Sequence, residues 1–187
     1  MKIDKKIKEH FDKLKFVRIT RKISKNNTEI NRGFIIDYSD ELVILREVED
    51  FNVMGFLVFE KSAITKIRYN KNDAYYDKIV EKEGLKENLK LSMKLRICTW
   101  EKLLRSLKKN GKYVIIECEH PKINTFTIGE IVKVSNKKVF IKHFNARGRF
   151  NREPIELKFK YITKVTFDDK YIEVFRKYTR ERKSYLK

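Results

Sequence analysis

The sequence predicts a mainly β protein with flanking helices, an α+β chain built from two tandem small five-stranded barrels. Two observations lead to this fold class. Short runs of alternating apolar and polar residues, bounded by turn residues, occur in both halves of the chain and are typical of half-buried strands. The apolar positions of the first half also recur, in the same order, in the second half.

In the first half, apolar spacing and turn signals predict a helix, five strands and a second helix. The first helix, over residues 4–13, has one apolar face formed by Ile3, Ile7, Phe11 and Leu14. The strands are predicted over 17–23, 33–38, 42–48, 56–59 and 65–69. The second helix, over 72–83, ends before Gly84 and has four residues on its inner side: Tyr75, Tyr76, Ile79 and Val80.

The same order of elements is predicted again after residue 99. A helix over Trp100–Lys109 ends at Gly111 and packs through Trp100 and three leucines. Strands follow over 113–118, 129–134, 138–144, 155–159 and 162–167. The last helix, over 170–180, opens with Asp168 as its cap and carries a packing stripe of Tyr171, Phe175 and Tyr178. Residues 85–98, which are either helical or extended, connect the two copies.

Matched residues support a duplication. Gly33, at the start of the second strand, matches Gly129, and Tyr69 matches Phe167. The segment beginning at Phe51 matches the one beginning at Phe144, since both read Phe-Asn-x-x-Gly. A repeat of about 97 residues is too long for a solenoid. We therefore predict two domains, 1–84 and 99–187, joined by 85–98.

Five short, bent strands close most readily into a barrel, which removes exposed sheet edges. A helix followed by five such strands, with a glycine in the second, resembles the Sm-like fold, a relative of SH3-like barrels. The resemblance covers roughly residues 2–70 and 100–168. Sm-like proteins commonly bind RNA as rings, in places through the loops after strands two and four. Neither loop after strand two in this chain carries a convincing RNA-binding motif.

The chain also resembles a group of uncharacterised bacterial two-repeat proteins over nearly its whole length. The likeness is carried by the stretches GFIIDYSDELVILREVEDFNVMGFLVF, TWEKLL, YVIIECEH, IGEIVKV and YITKVTFDDKYIEVF. That group has no assigned activity, so the resemblance implies the architecture and no chemistry.

Charge is distributed unevenly along the chain, which has a formal net charge of +19. Residues 1–90 hold 20 basic and 16 acidic residues, whereas residues 91–187 hold 25 and 10. A basic surface attracts polyanions such as nucleic acid. No apolar run is long enough to span a membrane, no secretory signal is visible, and only two cysteines occur. We therefore expect a cytoplasmic protein.

The most basic and aromatic stretch, KHFNARGRFNR at residues 142–152, is the candidate nucleic-acid site. Arginine offers forked donors to phosphate, and an exposed aromatic ring can stack on a base. The basic C-terminal tail could extend this surface along a phosphate backbone, although it also suits a solvated helix end. The candidate residues are Lys142, His143, Arg147, Arg149, Phe150, Arg152, Arg180, Arg182 and Lys183.

Two other interpretations of residues 142–152 stay open. The segment could be a basic hairpin with Phe144 in the core. Its arginines could also pair with the acidic region of the first half, within one molecule or between two. That acidic region comprises Asp37, Asp40, Glu41, Glu47, Glu49 and Asp50.

Catalytic and metal-binding patterns are missing from the sequence. His10, His120 and His143 are isolated, and Cys98 and Cys118 form no Cys-x-x-Cys pair. No nucleophile with a base and no phosphate-binding glycine loop is visible. We therefore expect a non-enzymatic module without cofactor or metal, associated with RNA. The alternative is a protein–protein adaptor or an oligomerisation scaffold.

Overall fold

In the computed structural model, which describes residues 2–180, the chain is mainly β, with ten strands and four α-helices in that range. The strands are antiparallel and the sheet is open. The predicted mainly β class with flanking helices is thus confirmed. The chain divides into unit 1, Met1–Thr99, and unit 2, Trp100–Lys187. The domain bounds at residues 84 and 99 stay a prediction.

Unit 1 begins with a helix, continues through five strands and ends with a second helix and a 3₁₀ turn. A further 3₁₀ turn, Lys61–Ala63, separates the fourth strand from the fifth. The elements are α1 (Lys2–Asp12), β1 (Phe16–Lys22), β2 (Thr28–Tyr38), β3 (Leu42–Glu49), β4 (Asn52–Glu60), β5 (Ile64–Arg68) and α2 (Lys71–Lys82).

Unit 2 repeats that order of helix, five strands and helix. A 3₁₀ turn, Phe159–Tyr161, again precedes the fifth strand. The elements are α3 (Trp100–Lys109), β6 (Tyr113–Cys118), β7 (Thr125–Ser135), β8 (Lys138–His143), β9 (Ile155–Lys158), β10 (Lys164–Phe167) and α4 (Lys170–Lys177).

The closed barrels expected from the sequence are not found. Within unit 1 the strand order is β5-β1-β2-β3-β4, and within unit 2 it is β10-β6-β7-β8-β9. The 3₁₀ turn after the fourth strand redirects the chain, and the fifth strand then pairs with the first. The fourth and fifth strands therefore lie at opposite ends of each unit's strand order, and within residues 2–180 they do not pair with each other to close a barrel.

Both faces of the unit 1 sheet are covered, which explains its long apolar runs. One face packs against α1, with Ile7 among alternate residues of every strand. The other face packs Phe16 and Phe34 against Val80 of α2 and Leu89 of the following 3₁₀ turn. Because of this double coverage, all four residues from Leu42 to Leu45 are buried.

The second strand of each unit passes unusually close to the third. Gly33 in β2 pairs with Glu47, and Gly129 in β7 pairs with His143. A Cβ at Gly33 would lie 2.0 Å from the carbonyl oxygen of Arg46, and one at Gly129 would lie 2.1 Å from that of Lys142. Both glycines also have φ near +155°, at +153° and +157°. Only glycine fits such a position.

Both glycines lie inside their strands rather than at the start, where the sequence pattern predicts them. The preceding residues, 28–32 and 125–128, are rich in polar side chains and lack a strong strand signal. They are strand nevertheless, because each pairs with the preceding strand of a hairpin. A register shift follows each glycine, after Ile35 and after Ile131.

One of the sequence matches between the repeats is wrong. Strand pairing makes Glu47 equivalent to His143, so Val48 occupies the position of Phe144, and both side chains are buried. Phe51 instead lies partly exposed in the tight turn between β3 and β4, where Asp50 and Phe51 both have positive φ. The similarity of Phe-Asn-x-x-Gly in the two halves is therefore not structural.

Residues 85–98 belong to unit 1 and contain a single regular element, the 3₁₀ turn Leu85–Leu89. Beyond it the segment has no helix or strand up to Trp100. Ser39 donates a hydrogen bond from its hydroxyl to the Ile97 carbonyl oxygen over 2.8 Å and accepts one from the Leu42 amide over 2.9 Å. Those two bonds fasten the end of the segment to the turn between β2 and β3.

The helices after the fifth strands pack on their sheets by different means. In α2 the buried positions include Asp73 and Asp77, while Tyr75, which was predicted to face inward, is 69% exposed. Asp73 lies 3.0 Å from Arg18 Nε and accepts hydrogen bonds from both Arg68 and the Asn70 amide. The first turn of the helix therefore meets its sheet through ion pairs, while Val80 near the end makes the apolar contact.

In unit 2 the equivalent contact is apolar. Ile115 on β6 corresponds to Arg18, and Ile172 on α4 occupies the place of Asp73; both isoleucines are buried in one cluster. Thr166 corresponds to Arg68 by strand pairing. The helix is capped by Asp169, which accepts a bond from the Tyr171 amide, and not by Asp168 as predicted. Asp168 has positive φ and pairs with Lys112.

Within residues 2–180, none of the helices is long and apolar enough to cross a membrane.

The glycine at the close strand contact can be tested by substitution. We expect Gly33→Ala to lower the free energy of unfolding by about 3 kcal/mol or more, because the new Cβ collides with backbone. Gly84→Ala is the matched control: its φ is also positive, at +68°, but nothing lies within 4 Å. It should cost about 1 kcal/mol. Unfolding in urea measures both free energies, and equal losses in the two variants would show that the close contact at Gly33 adds no cost.

The ionic packing of α2 predicts a pH-dependent stability. Burial would raise the pKa of Asp73, but hydrogen bonds from the Arg68 side chain and the Asn70 backbone hold that pKa below its usual value. The ionised carboxylate therefore stabilises the fold above the unfolded-state pKa of about 3.9, and this contribution is lost as the pH falls through the lower folded-state pKa. Asp73→Asn should destabilise the protein by about 3 kcal/mol at neutral pH and flatten the acid side of the stability profile.

The control for this prediction takes its residues from unit 2. The triple variant Arg18→Ile, Arg68→Thr, Asp73→Ile replaces the ion pairs with the apolar contact of α4, and we expect it to be more stable than Asp73→Asn at pH 7. Unfolding in urea at several pH values measures both effects. A triple variant no more stable than Asp73→Asn would argue against the equivalence of the two contacts.

Candidate nucleic-acid interface

The candidate segment forms the loop between β8 and β9, the longest connection between strands in unit 2. Arg147, Arg149 and Arg152 are exposed on it. Lys142 and His143, at the end of β8, are half-buried. The structure thus brings the three arginines of the predicted site together on one surface loop.

Asn145 shapes the loop by accepting backbone hydrogen bonds. Its Oδ1 accepts from the amide of Arg147 over 2.9 Å and from that of Arg149 over 3.2 Å. Its carbonyl oxygen accepts from the Gly148 amide over 2.8 Å, and its own amide donates to the Arg149 carbonyl oxygen over 3.0 Å. An asparagine side chain that bonds amides two and four residues later replaces part of a regular turn. The arginine backbone is therefore held in one conformation.

The C-terminal end of the described chain is fastened to this loop. Arg180 donates from its amide to the Gly148 carbonyl oxygen over 2.8 Å and accepts from the Phe150 amide over 3.4 Å. Arg149 and Arg180 form a parallel bridge as a result. Gly148 has φ of +68°, and a Cβ there would lie 2.8 Å from the Tyr178 carbonyl oxygen. The contact therefore brings Arg180, which is exposed, beside Arg149.

Phe144 and Phe150 anchor the loop in the core. They are buried with Ile115, Ile128 and Ile172, and their rings meet edge to face at 6.0 Å. Phe150 is 8% exposed, and Lys142 Nζ lies 4.5 Å from its ring centre. In this conformation Phe150 presents no open ring face to a base, so its place in the predicted site is structural.

His143 is fixed to the neighbouring strand. Its Nδ1 lies 3.2 Å from the Ile128 amide nitrogen and 3.0 Å from the Ile128 carbonyl oxygen. This nitrogen either accepts from the amide or donates to the carbonyl, depending on which tautomer is present. In both cases the ring is tied to backbone at the start of the loop.

Among the described residues, no carboxylate forms an ion pair with the four residues of what we call the arginine surface: Arg147, Arg149, Arg152 and Arg180. The pairing of these arginines with the acidic region of the first half, within one molecule or between two, stays a prediction. Two like charges on adjacent, fixed backbone segments repel each other, and an anion between them would relieve that repulsion.

Tyr178 is exposed in the structure, although the sequence pattern predicts that it packs. Its spacing predicts a packing stripe with Tyr171 and Phe175, but it is 74% exposed and Tyr171 is 50% exposed. Ile172 and Phe175 make the core contacts of α4 instead. Aromatic spacing alone could not fix which face of so short a helix packs. The proximity of Tyr178 to the basic run in the sequence was the only available signal.

Other residues that could carry chemistry are either paired with neighbouring side chains or buried. Glu117 and Glu119 both pair with Lys164, and His10 is buried, with desolvation as the main cause of its lowered pKa. Burial raises the pKa of the Cys118 thiol. No group of three His, Cys, Asp or Glu side chains that could hold a metal lies within residues 2–180.

Two predicted site residues, Arg182 and Lys183, lie outside the described residues.

Comparisons of the chain with family models, with curated proteins and with solved structures find no match.

The contact between the loop and residues 178–180 can be tested at Gly148. Gly148→Ala should push the Tyr178 carbonyl away, because the new Cβ would lie within 2.8 Å of it. We expect amide hydrogen exchange of Arg180 and Phe150 to accelerate by about tenfold or more, as both bonds open locally. Exchange is measured by NMR.

Gly111→Ala serves as the control for that experiment. Gly111 also has positive φ, at +62°, but a Cβ there would meet no other atom within 4 Å. The variant should lose about 1 kcal/mol of global stability without faster exchange at Arg180. Unchanged exchange in Gly148→Ala would show that the two segments are not coupled.

Proposed function

We propose that unit 2 is a non-enzymatic module that binds nucleic acid, RNA in particular, through the arginine surface. The observation that carries this proposal is the set of four exposed arginines, on backbone held by hydrogen bonds, that form no ion pair with a carboxylate in the described part of the chain. Guanidinium groups match phosphate oxygens with paired donors. Because the loop is already ordered, binding would require little further loss of backbone entropy.

A polyanion suits this surface better than a single small anion. The surface carries four arginines from two segments of the chain, which a bridge between Arg149 and Arg180 brings together, whereas a single small anion can accept from only a few donors. The part of the chain that contains them, residues 91–187, has 25 basic and 10 acidic residues, which favours long-range attraction of a charged chain. Binding through phosphates alone would be insensitive to base sequence.

An adaptor or self-association role is the second candidate. It is supported by the turn between β3 and β4 of unit 1, where Glu49 and Asp50 are exposed. An acidic turn on one copy could meet the arginine surface of another. That role predicts association that weakens with salt in the absence of nucleic acid.

The relationship to Sm-like or SH3-like barrels is also part of this proposal. It is supported by the helix, the five strands and the bent, glycine-containing second strand in each unit. The open sheet is its main departure from such a barrel. We further propose a cytoplasmic location, which the two free cysteines, Cys98 and Cys118, support.

The proposal predicts that the arginine loop controls RNA binding. The triple variant Arg147→Ala, Arg149→Ala, Arg152→Ala should weaken binding of a labelled single-stranded RNA at least about tenfold at low salt. The slope of log affinity against log salt should become shallower by about 2, since each lost phosphate contact contributes about 0.7. Fluorescence anisotropy across a salt series measures both.

A matched control removes the same charge elsewhere in unit 2. Lys108, Lys109 and Lys122 are exposed, and their triple alanine variant has the same net charge as the arginine variant. We expect it to keep most of the affinity. If both variants lose RNA affinity equally, net charge alone explains the loss. If the arginine variant loses no affinity, the proposed site is refuted. Sedimentation of the RNA-free protein at the same salt concentrations tests the self-association role.

A further inference from the structure

The last helix presents a second kind of binding group next to the arginine surface. Tyr171 and Val174 lie three residues apart on one face of α4, and Tyr178, four residues after Val174, caps the C-terminal end of the helix. Their exposed fractions are 50%, 44% and 74%. The opposite side of the helix buries Ile172 in the core. α4 therefore holds an aromatic face away from its own sheet.

Tyr178 is held in place although its ring is exposed. Its amide donates to the Phe175 carbonyl oxygen over 2.9 Å at the end of α4, and its carbonyl oxygen packs against Gly148. Thr179 donates from its hydroxyl to the Arg176 carbonyl oxygen over 2.9 Å. The backbone of Tyr178 is thus fixed against Gly148, in the loop that carries Arg147 and Arg149.

Within the described part of the molecule, the ring of Tyr178 makes no stacking or cation contact. Tyr171 stacks at an angle on Phe175, with ring centres 4.6 Å apart, and the Arg176 guanidinium lies 4.7 Å from the ring centre of Tyr113. No ring or cation contact of this kind involves Tyr178 among residues 2–180. An open aromatic face beside arginines that lack acidic partners fits a ligand that is both flat and anionic.

We infer that the nucleic acid bound here is a single strand, and that an unpaired base stacks on Tyr178 while the adjoining phosphates contact Arg147, Arg149 and Arg180. This inference rests on the proposed function. Bases in a duplex are stacked on one another and cannot reach an aromatic side chain, whereas every unpaired base offers a π-face. The tyrosine therefore gives the surface a preference for single strands, which phosphate contacts alone do not supply.

The test compares three probes on the full-length protein: a short single-stranded oligoriboadenylate, an RNA duplex of the same length, and inorganic polyphosphate. We expect Tyr178→Leu to weaken binding of the single strand by about tenfold, the effect typical of one lost stacking contact. Binding of polyphosphate and the salt dependence of affinity should not change, because no cation is removed. Tyr178→Phe keeps the ring and should bind like the unsubstituted protein.

Tyr75→Leu is the matched control, since Tyr75 is similarly exposed, at 69%, but lies on α2 in unit 1. It should leave all three affinities unchanged. A single-stranded oligodeoxyadenylate of the same length shows whether the 2′-hydroxyl contributes.

The outcomes separate this inference from the function on which it rests. If the protein binds polyphosphate, duplex and single strand equally, or if Tyr178→Leu has no effect, phosphate binding stands and the stacking inference fails. If Tyr178→Leu weakens polyphosphate binding as much as RNA binding, the tyrosine acts on the fold of the loop and the inference also fails. If none of the probes binds at low salt, both the proposed function and the inference are refuted.

Discussion

Two carbonyl oxygens, one in each unit, occupy the space where a side chain on the neighbouring strand would begin. They belong to Arg46 and Lys142, and the strand opposite carries glycine at the point of contact. This close approach sets the pairing of the second strand with the third, and a register shift follows within the next few residues. The end of β8, where the loop that carries the arginines begins, depends on it. In unit 2 the contact brings His143 against Ile128, immediately before the arginine loop.

The two units share this strand pairing but differ in the connection that follows the third strand. Where unit 1 closes its third and fourth strands with a tight turn at Asp50 and Phe51, unit 2 has a loop from Phe144 to the start of β9. The contact between the last helix and its sheet also differs: it is ionic at Asp73 in unit 1 and apolar at Ile172 in unit 2. The apolar contact lets α4 dock without ionic partners.

Much of the fold could be predicted from local patterns, because strand alternation and helical spacing are set by which faces are buried. The pairing of strands depends on residues far apart in the chain, so local patterns do not predict it. An open sheet and a closed barrel share the same strands and differ only in which edges meet. The match of Phe51 with Phe144 failed for this reason as well, since similar letters lay at positions that strand pairing makes different.

The candidate site shows the same division between local and long-range information. Arg147, Arg149 and Arg152 could be selected from composition, because an arginine-rich loop is visible in the sequence. The buried state of Phe150 and the exposure of Tyr178 could not, since both follow from how α4 packs on the sheet.

The bridge between Arg149 and Arg180 argues that this surface is more than a consequence of high net charge. Charge spread over flexible lysine side chains can separate and stay in water, at little electrostatic cost. Here the backbone holds two arginines side by side through the bonds of Gly148 and Phe150 with Arg180. The bridge therefore places the two arginines next to each other whatever conformation their exposed side chains take. A ligand that carries several negative charges, such as a nucleic-acid chain, could contact both guanidinium groups at once.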